Sequence, residues 1–135
     1  KKLRLGTWNV GSMLQLGKVQ LLGREMERLG VDICGLGEFR WKDQGHFTTL
    51  DGHTIMYSGK PNQGLSGVGV WVHKRVAGAI IGYEPVNDRI MVIRLHAKPR
   101  NISLIQVYGP TTTAQPEEID DFYHELSKAV KEAPK

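Results

Sequence analysis

Residues 3–36 constrain this chain more than any other stretch. Two apolar runs, Leu3–Val10 and Val31–Leu36, bracket a segment in which Val19, Leu22, Met26 and Leu29 recur at helical spacing. Arg24, Glu25, Glu27 and Arg28 fill the positions between them. Gly30 follows the last apolar residue, where a left-handed residue closes a helix. The unit reads β-α-β. It demands a parallel strand pair joined by a right-handed crossover, and so places the chain in the α/β class.

The rest of the chain changes character. Thr54–Ser58, Val68–His73, Ala77–Tyr83, Arg89–His96 and Ile102–Tyr108 are strand-like. Turn signals at 60–64, 74–75, 87–88 and 98–101 separate them, and connections this short favour antiparallel neighbours. A last helix opens at Pro116, with Glu117, Glu118, Asp120 and Asp121 suited to the positive end of its dipole. Its apolar face reads Ile119, Phe122, Tyr123, Leu126, Ala129 and Val130. Such a helix should cross over into a further strand, and none follows.

With 135 residues and 40% hydrophobic composition, the chain suits one domain with a real core. No apolar run reaches the ~20 residues of a membrane helix, and no signal peptide is legible, so neither a membrane partner nor secretion is expected. The single cysteine, Cys34, precludes an internal disulfide and fits a reducing, intracellular compartment. Residues 1–110 carry 15 basic and 8 acidic side chains, whereas 111–135 carry 3 and 6. The basic excess permits a polyanionic partner without requiring one.

Three polar residues stand at strand ends: Asn9, Glu38 and Tyr108. Ligand sites of α/β sheets cluster there. Asn9 and Glu38, at the ends of a parallel pair, would lie side by side. An amide and a carboxylate together suit a hard, oxygen-loving cation such as Mg²⁺, and a tyrosine hydroxyl can bind a phosphate. Arg40, Trp41 and Lys42 follow Glu38 with the cations and aromatic ring that nucleic acid favours. Other features are weaker. The glycine-rich stretch 64–69 precedes a strand, so it reads as a turn with close packing rather than a phosphate loop. His46, His53, His73, His96 and His124 have no zinc spacing and read as surface or edge residues, and Ser66 lacks a nucleophile elbow.

Five stretches in order, "TWNV", "GLGEFRW", "SGVGVWVHK", "NDRIMVIRL" and "LIQVYGPT", resemble the motifs of the endonuclease/exonuclease/phosphatase superfamily. The nearest resemblance is to the endonuclease domain of RTE-type non-LTR retrotransposons, of the endonuclease–reverse transcriptase type, whose domesticated copies are called craniofacial development protein 2-like. It implies a deoxyribonuclease I-like fold, a four-layer α/β/β/α sandwich. Residues 1–135 would be its N-terminal half, with a mixed, mostly antiparallel sheet and two main helices. It implies Mg²⁺ or Mn²⁺ on Glu38 and Asn9, a phosphate contact from Tyr108, and DNA contacts from Arg40, Trp41, Lys42, Lys74 and Arg89. The implied reaction nicks a phosphodiester by in-line attack of water and leaves a 3′-hydroxyl that primes reverse transcription, in the nucleus.

The chain departs from the family pattern. Gly11 stands where AP endonucleases place an acidic residue, and Gly37 and Phe39 replace Gln and Thr around the glutamate. The later Gly-Asp-x-Asn, aspartate and Ser-Asp-His motifs are absent. Without them no general base faces the phosphate, so weak metal binding and no appreciable activity are expected. The inner sheet face is expected to need the missing half, or another protein, as a cover. The competing expectations are a non-catalytic domesticated module that binds protein or DNA, and a small-phosphoester phosphatase.

Overall fold

In a computed structural model of the chain, residues 3–9, 16–37, 44–60, 63–98, 100–107 and 115–132 are described. The opening is the β-α-β unit that the sequence predicts. Strand β1 (Leu5–Asn9) and strand β2 (Ile33–Gly37) pair in parallel across helix α1 (Leu16–Leu29). Gly30 takes φ +70° and closes α1, with its amide bonded to the Glu27 carbonyl and the Val31 amide to that of Met26. Strands β3 (Gln44–Thr48), β4 (Thr54–Lys60) and β5 (Gln63–Val72) complete a five-stranded sheet in the order β1-β2-β5-β4-β3. The glycine-rich stretch is thus the first half of β5, not a turn before it. A short helix α2 (Lys74–Ala77) leads to β6 (Ile80–Pro85), β7 (Ile90–Leu95) and β8 (Ile102–Val107), an antiparallel three-stranded sheet. Helix α3 (Pro116–Glu132) ends the described chain.

Three apolar cores separate four layers. Val19, Leu22 and Met26 of α1 pack on Cys34, Leu36, Ile55 and Trp71. Ile33, Val70 and Val72, on the opposite face of the large sheet, meet Met91, Ile93 and Leu95 of the small one. Phe122 and Ala129 of α3 cover Ile90 and Val92 on the outer face of the small sheet. Period-two alternation sends neighbouring residues of β2, β5 and β7 into different cores.

This arrangement corrects two expectations. The runs 68–73 and 77–83 are not antiparallel neighbours, because α2 carries the chain from one sheet to the other. Nor is the inner face of the large sheet bare, since β6–β8 of the same chain cover it. Apolar side chains are exposed at several places among the described residues, Leu21, Leu50 and Ile81 among them. β1 and β8 end their sheets, Leu5 and Trp8 are 56% and 42% exposed, and Ile119, Tyr123 and Val130 leave part of the α3 apolar stripe uncovered.

Asp32 anchors the near end of the sandwich. Its carboxylate, in a residue only 7% exposed, accepts the Arg4 amide at 2.8 Å and the Arg75 Nε–H at 2.7 Å. Burial alone would raise its pKa, but the Arg4 amide and the Arg75 guanidinium together hold it below the usual carboxylate range. The unfolded chain then binds the proton more readily. The stabilisation is complete above the unfolded value of about 3.9 and disappears as pH falls through the folded value. Asp32→Asn is expected to cost about 1–2 kcal/mol at pH 7 and progressively less below pH 4 in urea unfolding.

Candidate functional site

The far end of the sandwich gathers the strand ends that the sequence singles out. Asn9 pairs with Gly37, Gly37 with Val68, and Val68 with Ser58, so these four lie side by side across the large sheet. The Ser58 hydroxyl, almost fully buried, donates to the Asn87 carbonyl at 2.5 Å in the β6–β7 turn. Asn87 Oδ1 accepts the Arg89 amide at 2.8 Å, and Ile90 beside it pairs with Val107, the last residue of β8. Strand β8 runs in the same sense as β1 and β2: Leu3 and Ile102 line one cavity near their starts, and Gln106 lies against Gly35 further along.

β2 and β8 therefore stop at one edge, each one residue before a residue that the sequence singles out. Glu38, Arg40, Trp41, Lys42 and Tyr108 lie outside the described residues, as does the side chain of Asn9. Arg89 reaches the same edge through its turn. Lys74 does not. It follows Val72, which pairs with Ile33 at the start of β2, about 13 Å along β5 from Val68. Ser58 and Asn87 escape sequence reasoning, because a hydroxyl in one sheet and a carbonyl in the other carry no mutual spacing signal.

Of the two residues that the resemblance assigns to a cation, the described backbone places Asn9, beside Gly37.

A second polar cluster lies at the opposite end. Thr54 pairs with Val72, so His53 and His73 flank that pair and meet Glu27 of α1. The histidine Nε2 atoms lie 3.1 and 3.0 Å from Glu27 Oε1. These rings are buried, 1% and 5% exposed, which corrects their reading as surface residues. The spacing resembles a ligand triangle, but the opposite ring atoms say otherwise. His53 Nδ1 accepts the Lys74 amide at 3.0 Å, and His73 Nδ1 accepts the Arg75 amide at 3.0 Å. A neutral imidazole accepting at Nδ1 carries its proton on Nε2. Metal-binding histidines instead donate their second N–H to an acceptor. The donor set therefore does not suit a metal at Nε2. Cys34, buried among apolar neighbours, has its thiol pushed up to about 11 and is not a reactive group.

Comparison with known proteins follows the same lines. No family model matches the sequence. Craniofacial development protein 2 of Bos taurus is 41% identical over 131 residues, 97% of this chain and 22% of the relative; that of Tragulus javanicus is 40% identical over the same shares. The endonuclease domain of TRAS1, a telomere-specific non-LTR retrotransposon, superposes with a TM-score of 0.65 at 16% identity, over 99% of this chain and 55% of the other. The AP endonuclease LMAP of Leishmania major gives 0.67 at 16% identity, over 90% and 46%.

The chain has the deoxyribonuclease I-like fold and is a homologue of craniofacial development protein 2. It spans less than a quarter of the length of the curated relatives it matches. No helix among the described residues is long and apolar enough to cross a membrane.

Proposed function

We propose that this chain is the N-terminal half of a Mg²⁺-dependent DNA endonuclease of the retrotransposon type. It would act in the nucleus, nicking one phosphodiester bond and leaving a 3′-hydroxyl that primes reverse transcription. The observation that carries this reading is the shared edge, where Asn9 lies beside Gly37 and where β2 and β8 both end one residue before Glu38 and Tyr108. The Glu38 carboxylate and the Asn9 amide oxygen would hold the cation. Bound there, Mg²⁺ supplies stabilisation of the negative charge that builds on phosphorus. The Tyr108 hydroxyl donates to a phosphate oxygen, Arg89, Arg40 and Lys42 neutralise backbone phosphates, and Trp41 offers a stacking surface.

Nothing in this set removes a proton from the attacking water, so the reading assigns that task to a second half-domain. The open side suits such a partner. Among the described residues β1 and β8 end their sheets, and Leu5 lines an apolar cleft of about 160 Å³ between them.

A nicking assay on supercoiled plasmid with Mg²⁺ tests the reading. The chain alone is expected to give background conversion. Adding a fragment that carries the Gly-Asp-x-Asn and Ser-Asp-His motifs should restore nicking, and Glu38→Ala should abolish it. Nicking by the chain alone, lost on Glu38→Ala, would overturn the two-half reading. Failure of every complementing fragment would count against the nuclease itself.

A further inference from the structure

The cluster at the opposite end has no part in that edge and carries an inference that does not depend on it. We propose that Glu27, His53 and His73 form a proton-operated latch on α2. While both rings are neutral, their Nδ1 atoms hold the Lys74 and Arg75 amides; a proton taken up by either ring evicts the amide it holds.

The chemistry follows from where the protons already are. Each ring carries a proton on Nε2, because Nδ1 is accepting a backbone N–H. A further proton has one place to go, the Nδ1 lone pair. Once there, Nδ1–H faces an amide N–H, donor against donor, and the amide must turn to water. For His73 the lost bond is the N-cap of α2, since its side chain accepts from Arg75 at the start of that helix. For His53 it is the bond that ties α2 to the turn before β4.

Charges around the rings set the poise. Glu27 of α1 favours a positive ring, being 3.0 Å from His73 and 3.1 Å from His53, and Asp51 in the preceding turn acts the same way on His53. Asp32 at the start of β2 faces His73 and is already engaged by Arg75. Lys74 opposes a charge on His53, and the two rings, with centroids 4.5 Å apart, oppose each other. For His53 burial is the foremost influence and lowers its pKa. The unfolded chain then takes the proton more readily than the folded one. Stability from His53 is therefore complete above about pH 6.5 and falls as pH drops below it.

α2 gives the inter-sheet core Val76 and Ala77, whereas the rest of that core comes from the strands, so acid should loosen this end while the sheets persist. The latch is thus a local device: it releases Lys74 and Arg75, and with Arg75 the guanidinium that pins Asp32 and the start of β1. Sequence spacing gives no hint of it, because residues 27, 53 and 73 meet through the β4–β5 pairing.

Nitrogen chemical shifts of the imidazole rings, recorded on the full chain, test the proposal. At pH 7.5 both rings should carry their proton on Nε2, and Zn²⁺ should leave their shifts unchanged. As the rings protonate, the Lys74 and Arg75 amides should shift with them and lose about tenfold in protection relative to the intrinsic exchange rate at each pH, the factor that goes with losing one hydrogen bond. The amides of β7 should not follow. Glu27→Gln keeps an acceptor but removes the charge, and should lower the His53 midpoint. His73→Asn keeps a capping acceptor that does not titrate, and should leave the Arg75 amide protected throughout. An Nδ1–H proton on either ring at pH 7.5, Zn²⁺ binding through Nε2, or amides indifferent to ring protonation would overturn the latch.

Discussion

Replacing Trp71 by alanine is expected to cost about 3–5 kcal/mol, a large part of the 5–15 kcal/mol that holds a domain of this size. Trp71 is fully buried at the centre of β5, paired with Cys34 on one side and Ile55 on the other. Its ring joins the α1 core and lies 4.8 Å from the His53 ring and 5.8 Å from that of His73. Truncation would leave a cavity that strands on both sides and a helix above cannot collapse to fill. The indole carries its own cost, however: its buried Nε1–H has no partner among the described residues. An unpaired buried donor costs about 1–3 kcal/mol. Trp71→Phe deletes that donor and keeps most of the ring, so it should cost less than about 1.5 kcal/mol. Urea unfolding of the two variants separates cavity from polarity. Equal losses would mean that the indole N–H holds a bond that this geometry does not give it.

The same residue illustrates what the sequence makes legible. Trp71 sits in an apolar run, and apolar runs report burial. β1, α1, β2, β4, β7, β8 and α3 can all be read within a few residues from such patterns and from their turn signals. The parallel β1–β2 pair follows from the crossover rule alone. The misses share a cause. β3, Gln44–Thr48, alternates between exposed and half-buried residues at the edge of its sheet, so its composition is polar. α2 is a single turn, too short for any period, and its Lys74-Arg75 reads as a connector. The division of the later strands between two sheets hangs on that one turn, which is why the two-sheet cover of the inner face is not foreseeable. At the candidate edge the strand ends are legible from their apolar runs, while Glu38 and Tyr108, which follow two of them, lie outside the described residues. The latch is not legible, because a hydrogen-bonded cluster assembled by strand register leaves no spacing in the chain.

The second large effect is expected at Gly35, where the two sheets meet without a side chain from β2. A Cβ there would sit 2.0 Å from Gln106 Oε1, 2.4 Å from its Cδ and 2.8 Å from its Nε2. The amide of β8 fills the space that β2 leaves by lacking a side chain. Gly35→Val should therefore cost about 3 kcal/mol by overpacking, although valine otherwise favours strands. The obstructing group is the end of a flexible side chain beside a cavity of about 160 Å³, so removing it should relieve the strain. Gln106→Ala alone should cost less than about 1 kcal/mol, and the double variant should recover about half of the Gly35→Val loss. Additive losses in the cycle would mean that Gly35 is required for another neighbour. The consequence reaches the candidate edge, since Gly35 lies three residues before Glu38 and Gln106 two before Tyr108. A carboxylate on one sheet and a hydroxyl on the other can act on one phosphate only if the sheets keep a fixed separation. The contact between Gly35 and Gln106 is one place where this chain fixes that separation, and it lies on the two strands that lead to the candidate edge.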